Sequence, residues 1–503
     1  MELYFRLVMK FENQAIIQYL PISGISIFLQ IFLPITNLID INIAGLQNNQ
    51  DGIRMKKSFF LLYAFLFLGL CACSKHVENK FPATTAQGQI EDLKKFPQNL
   101  EVYAKLTGPN KRLLTSLEQE QMAGKFINLY FGPWQMRKTS IRKNEVVSLF
   151  NHPRGYKHGD IKWQKYEWTA MKDNANLSVF PSMAIPAITL RNTDLRELPT
   201  HEYRFSEPTP DPKANPFDYF QSSLLPPGMP VLLVHATLDK RWYYVECPVA
   251  GGWVDAKDLA EVDQNFMSIW RSGNYAALVR DKIKLAGTGL NNSDSTAGIG
   301  TLLPYRSINN DGSMKVLVPH KKPDGFAGEA EIIIPAGSAV VWPFILTPKN
   351  VADVGNVMMR QPYGWGGMFG DRDCSALTRD LFTPFGIWLP RNSSAQARRG
   401  LVIPLAGLSK SEKQDAILTN GIPFLSLVGM KGHICLYVGK YDGEAAIFHN
   451  VWGLRIVENG NDDARLVVGK AVVTSITPGM EIRNLYRPVT FVDRLRSLTI
   501  LKK

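Results

Sequence analysis

The strongest constraint on this chain is an alternation of apolar and small or polar residues at Gly432-His433-Ile434-Cys435-Leu436-Tyr437-Val438-Gly439, returned by Ala445-Ala446-Ile447-Phe448-His449 across Lys440-Tyr441-Asp442-Gly443. Period-two patterning on both sides of a Gly-containing turn predicts an antiparallel hairpin. If Tyr441 centres a three-residue loop, His433 faces His449 directly, roughly 5 Å away. If Gly443 ends the loop, the two histidines become diagonal neighbours on one face. A four-residue loop separates them, because a one-residue slip turns a strand's side chains over.

A nucleophile precedes this hairpin. After Cys374, the run Ser375-Ala376-Leu377-Thr378-Arg379-Asp380-Leu381-Phe382 has a helical apolar face at Leu377 and Leu381 and stops at Pro384 and Gly386. Asp373 is then the N-cap, and the sulfur falls in the first turn, where unpaired N–H groups and the helix dipole favour an anion. An imidazole nearby acts in the same direction, so a lowered thiol pKa is expected. Cys435, inside an apolar strand, reads instead as a small buried hydrophobe. Two histidines on a hairpin also suit zinc, but neither an HExxH helix nor a CxxC pair accompanies them, so no metal and no cofactor is expected.

Cys374, His433 and His449, with Tyr363-Gly364-Trp365-Gly366-Gly367 before the cysteine and Leu389-Pro390-Arg391-Asn392-Ser393-Ser394-Ala395-Gln396 after it, resemble NlpC/p60-type cysteine peptidases of bacterial cell-wall metabolism, over roughly residues 346–490. The resemblance implies a papain-like α+β domain with Cys374 as nucleophile, His433 as general base and acid, and His449 orienting His433. It also implies that Tyr363 supports the oxyanion, and that Asp373, Ser375 and Ser393 bind substrate, Asp373 and Ser393 through its free amino terminus. Asn392 stands where many members have Asp. The bond implied is an amide of peptidoglycan stem peptides, from the γ-carboxyl of D-glutamate to a diamino acid. Two other functions fit such a chain: a wall-binding lipoprotein with an inactive peptidase fold, and a thiol acyltransferase.

Upstream, Met55-Lys56-Lys57, the apolar run Ser58–Leu70 and Leu70-Cys71-Ala72-Cys73-Ser74 form a lipoprotein signal with cleavage before Cys73. Lipidation of Cys73 tethers the mature protein to a membrane of the cell envelope, the outer one, facing the periplasm, if the cell is diderm. Residues 1–54 are then an upstream extension and 55–72 the signal peptide. Residues 73–159 form an N-terminal helical stabilising segment, with Leu114, Leu117, Met122, Phe126 and Tyr130 spaced for one buried face.

Short strands punctuated by Pro and Gly fill residues 160–262, where Asp194-Leu195-Arg196-Glu197-Leu198-Pro199-Thr200 and Gly252-Trp253-Val254 resemble the first Src-homology-3-like barrel of lipoprotein NlpC/p60 members. A second barrel is expected over 263–345 and the peptidase domain over 346–503. In related enzymes the first barrel walls the cleft with an aromatic residue, for which Trp242, Tyr244 and Trp253 are the candidates. The net charge of +12 suits an anionic wall polymer or lipid surface. Absence of a P-loop, a dinucleotide fingerprint or a nucleic-acid module argues against nucleotide and nucleic-acid partners. Five cysteines, two of them at the signal, imply no disulfide framework.

Overall fold

The computed structural model describes residues 4–11, 14–21, 85–87, 89–285, 295–458 and 460–502. They fall into two units, Met1–Glu78 and Asn79–Lys503. In the first, Tyr4–Phe11 and Gln14–Pro21 pair as an antiparallel hairpin. The lipoprotein signal and Cys73 lie outside the described residues. Among the described residues no helix is long and apolar enough to cross a membrane.

The second unit is mixed α and β, as its sequence pattern implies. Its N-terminal part is helical: Leu100–Thr107 packs on the Pro348–Met358 helix, and Ser116–Tyr130 begins with a capping box of Thr115 and Glu118. The buried face of the longer helix is Gln119, Ala123, Phe126 and Tyr130, whereas Leu117 is 64% exposed. The expected stripe was therefore rotated at its start. Gln119, a polar residue, takes the inward position because its amide donates to the Phe344 and Phe385 carbonyls at 2.6 and 3.0 Å.

Two small antiparallel sheets follow. The first has seven strands, in the order Leu259–Glu261, Ile185–Thr189, Pro230–Ala236, Trp242–Glu246, Gly251–Asp255, Thr193–Arg196 and Gln221–Leu225. The second has five: Ala327–Ile334, Met314–Lys321, Leu302–Ile308, Tyr275–Leu278 and Ala339–Val341.

The C-terminal sheet carries the hairpin. Its order is Leu401–Pro404, Leu495–Ile500, Ser426–Met430, His433–Tyr441, Glu444–Glu458, Asn461–Thr474 and the parallel strand Thr85–Gln87. Ile434, Leu436, Ala446 and Phe448 share a core with Leu377 and Leu381 of the Cys374–Phe382 helix, while Cys435, Tyr437, Ala445 and Ile447 face Ile417 of the Lys410–Asn420 helix. Both faces of the hairpin are therefore covered, which is why its strands are nearly continuously apolar.

The register is reached by an unforeseen route. Asp442-Gly443 form a two-residue turn with φ of 46° and 81°, pairing Tyr441 with Glu444. Continued unbroken, that register would set the two histidines on opposite faces. A bulge between Tyr437 and Gly439 shifts the pairing to Leu436 with Phe448 and Tyr437 with Ile447. The histidines thereby become diagonal neighbours on one face, the second of the two geometries that keep them together.

Candidate active site

Cys374 opens the helix Cys374–Phe382, and the Asp373 carboxylate caps it by accepting the Ala376 N–H at 2.8 Å. Leu377 and Leu381 are buried at 1% and 0% exposure, which fixes the helix's rotation. Gln396 fastens its first turns: its amide donates to the Ser375 carbonyl at 2.8 Å and its oxygen accepts from Thr378 at 2.6 Å. The loop before it runs against the first small sheet. A Cβ on Gly366 would stand 2.3 Å from the Gln221 carbonyl oxygen and one on Gly367 2.5 Å from the Leu224 Cβ, and both glycines have positive φ. The pair lets the two domains touch just ahead of the nucleophile.

On one side of the sulfur lies a saturated ionic cluster. Arg391 grips Asp373 with two nitrogens at 2.6 and 3.1 Å and also donates to Ser375 and to Ser223 of the first sheet, each at 2.9 Å. Gly366 N–H and the Ser375 hydroxyl also donate to the same carboxylate. Burial pushes the Asp373 carboxyl up, but Arg391 and these hydrogen bonds outweigh it and hold it at about 2. One residue earlier, Arg372 is paired with Asp281 beside the second sheet and with Asp380 on the helix. The nucleophile thus lies between two ion pairs, one tied to the first small sheet through Ser223 and the other held by Asp281 beside the second.

The hairpin histidines form a neutral chain, with no hydrogen bond to the Cys374 sulfur among those of the described residues. Nε2 of His433 lies 2.8 Å from Nδ1 of His449, whose Nε2 lies 3.1 Å from the Thr474 hydroxyl. That hydroxyl donates to the Ser475 carbonyl at 2.8 Å. A carbonyl only accepts, so the threonine proton is committed to it, and His449 must carry its proton on Nε2. Its bare Nδ1 then accepts from Nε2–H of His433, which leaves Nδ1 of His433 with a free lone pair. Burial lowers both imidazoles, His449 to about 3 and His433 well below its ordinary value with His449 and Arg494 adding to the effect, so both rings are neutral. The N-terminal segment pins the far end: Gln98 bonds both backbone groups of Val473, and Asp92 accepts the Ser475 N–H at 2.6 Å.

The expected thiolate is not the resting species. Burial, followed by the negative charge of Asp373, pushes the Cys374 thiol up to about 12, and the opposing Ile434 N–H and Arg391 are weaker. Helix position alone does not prevail where Cys374 is only 6% exposed and the helix's own N-cap is an anion.

Among the proposed substrate residues, Tyr363 is beside the sulfur: burial raises its phenol well above the ordinary value, with Cys374 and Asp373 adding, so it stays a hydrogen-bond donor. Asp373 and Ser375 are instead occupied by Arg391. Asn392 caps the short Ser393–Gln396 helix by accepting the Ala395 N–H at 2.8 Å, and Ser393 lies in its first turn. Trp242, Tyr244 and Trp253 pack into the core of the first sheet with Phe180 and Phe220 and are not brought to Cys374. Aromatic residues that do cross from that domain are Tyr219, 6.5 Å from Trp365, and Phe217, whose ring centroid is 5.9 Å from Tyr363, 5.6 Å from Trp365 and 5.5 Å from Trp452. No periodicity signals them, since they sit in a long loop ahead of Gln221–Leu225. A cavity of about 300 Å³ lies behind the nucleophile helix, lined by Ala376, Arg379, Asp380, Ser223 and Asp281 among others, and includes neither Cys374 nor His433.

Known proteins resemble three separate stretches of the chain. Residues 60–180 match the N-terminal stabilising domain of NlpC/P60 proteins, 204–255 an SH3 domain of the SH3b1 type, and 360–461 the NlpC/P60 family. A probable endopeptidase of Corynebacterium glutamicum (strain R) is 29% identical over 133 residues, 26% of this chain and 61% of that protein. A γ-D-glutamyl-L-lysine dipeptidyl-peptidase of Bacillus cereus is 26% identical over 134 residues, 25% of this chain and 36% of that protein. The chain thus spans less than two thirds of the curated relatives it matches. An NlpC/P60 endopeptidase structure from Photobacterium damselae subsp. piscicida shares the fold, with TM-score 0.71 and 24% identity over 83% of this chain and 99% of that one. The chain carries an NlpC/P60 catalytic domain, preceded by the SH3b and N-terminal stabilising domains found with it.

Proposed function

We propose that this protein is a cell-envelope cysteine endopeptidase that hydrolyses an amide of peptidoglycan stem peptides, the γ-D-glutamyl bond to a diamino acid. The observation that carries the mechanism is the fixed sequence of protons from Ser475 back to His433, which supports an imidazole whose open nitrogen is a base. Because the thiol is neutral at rest, deprotonation accompanies attack. Sulfur adds to the carbonyl while its proton passes to Nδ1 of His433, and the resulting imidazolium is stabilised by His449.

Tyr363 and backbone N–H groups supply hydrogen bonds to the oxyanion. The proton then goes to the leaving amine, a thioester remains, and water attacks it with His433 again as base. Phe217, Tyr363 and Trp452 form an aromatic wall beside the scissile bond, the part for which the sequence offers Trp242, Tyr244 and Trp253. Asp373 serves as a structural anion, so the substrate's free amine is met by other groups. In the same proposal, Cys73 carries the lipid anchor that keeps the enzyme on its membrane, the outer one in a diderm cell.

The test is mass spectrometry of defined muropeptides after incubation with the protein. Release of a diamino-acid-bearing fragment is expected, and its loss by a factor on the order of 10³ or more in Cys374→Ala. Retained hydrolysis in that variant would overturn the mechanism.

A further inference from the structure

Cys435 has no part in this chemistry, yet it lies two residues along the strand from His433 and so projects to the same side. One ligand atom from each of His433, Cys435 and His449 lies within 4.8 Å of the other two. The three are 8%, 0% and 1% exposed. Two imidazole nitrogens and a thiol converging beside Phe491, with Arg494 within electrostatic range, make a soft N₂S donor set, suited to zinc and its congeners rather than to magnesium or calcium.

Tetrahedral zinc places such nitrogens about 3.3 Å apart and a sulfur about 3.6 Å from each. The facing ring nitrogens, now 2.8 Å apart, need to separate only slightly, with the sulfur drawing in.

We propose that His433, Cys435 and His449 form an inhibitory site for a soft divalent cation, which replaces the proton shared between the two rings. Nδ1 of His449 already presents a lone pair. Nε2 of His433 binds once its proton has moved through solvent to Nδ1 of the same ring, and Cys435 binds as thiolate, releasing its proton to water. The net change is one proton out and one dication in. A His433 protonated on Nδ1 no longer accepts the proton of Cys374, so the bound ion stops the reaction at its first step. This inhibitory effect rests on His433 being the base, whereas binding does not.

Cobalt(II) titrated into the full chain is the probe. A sulfur-to-cobalt charge-transfer band saturating at one equivalent is expected. The band persists in Cys374→Ala and disappears in both Cys435→Ala and Cys435→Ser, each checked for a native melt. Zinc is expected to inhibit hydrolysis, with Cys435→Ala retaining its basal rate and at least about 10-fold less sensitive, while magnesium has no effect. A band that survives loss of Cys435, or one that vanishes with Cys374, overturns the site, as does no band in the unaltered protein. Cobalt binding in a chain without peptidase activity would leave the site standing and sink the catalytic assignment instead.

Discussion

The two polar flanks of the peptidase site, the Asp373 cluster and the hairpin histidines, solve opposite problems. On the Asp373 side every donor meets an acceptor, and the charges are full and cancelled in place by Arg391, with Ser375 and Ser223 completing the cluster. On the His433 side there is no formal charge, and the hydrogen-bond chain ends in one lone pair with nothing committed to it. Rigidity comes from the first arrangement and reactivity from the second. A charge on the reactive side would lose its hydration in a buried place, whereas a neutral relay remains free to become charged only as the proton is transferred.

Substitutions should separate the two flanks. The largest effect belongs to His433→Ala, expected to remove hydrolysis by a factor on the order of 10³ or more while leaving the thermal midpoint within a few degrees; a large fall in that midpoint would mean the relay is structural as well. Arg391→Ala should do the reverse first: it strands a buried carboxylate and costs about 3–5 kcal/mol of stability in a denaturant titration. Pairing it with Asp373→Asn in a double-mutant cycle should recover part of that loss, and strict additivity would show that the two groups act independently.

The smallest effect is in pH dependence. The folded pKa values of His433 and His449 lie below their unfolded value, so the unfolded chain takes up more protons in the acid range and stability falls as pH falls below about 6.5. Replacing His449 by Gln should remove about 1 kcal/mol of the loss between pH 6.5 and 5.5. The Asp373 contribution, by contrast, is present above 3.8 and fades only towards about 2, so Asp373→Asn should leave that window unchanged.

The helix, its cap and the shared face of the two histidines were legible because each follows from local pattern: Leu377 with Leu381, Asp373 before the first turn, and two alternating strands. The register was legible only as a choice, since it depends on a two-residue turn and a bulge at Gly439 whose effects on facing cancel. Arg391 was visible in its motif but its role was not, because its partners Asp373 and Ser223 meet it only through the tertiary fold. Thr474 and Ser475 were missed for the same reason. Trp242 was misplaced because an aromatic in an alternating strand points either to a core or to a cleft, and pattern alone does not say which. The protonation of Cys374 depends on how deeply the sulfur is enclosed, a property of the packed domain.

The Gln98 side chain also completes an edge of the C-terminal sheet. By donating to the carbonyl of Val473 and accepting from its N–H, its side chain behaves like one more residue of a neighbouring strand. A peptidase domain excised at residue 346 loses Gln98 together with Thr85–Gln87, and the long Asn461–Thr474 strand loses those partners at Arg465–Val467 and Val473, on a border where residues 360–363 still bond Gly469 and Ala471. Such a border recruits another strand. The excised domain is therefore prone to self-association, with Thr474 of the proton relay at the newly opened rim.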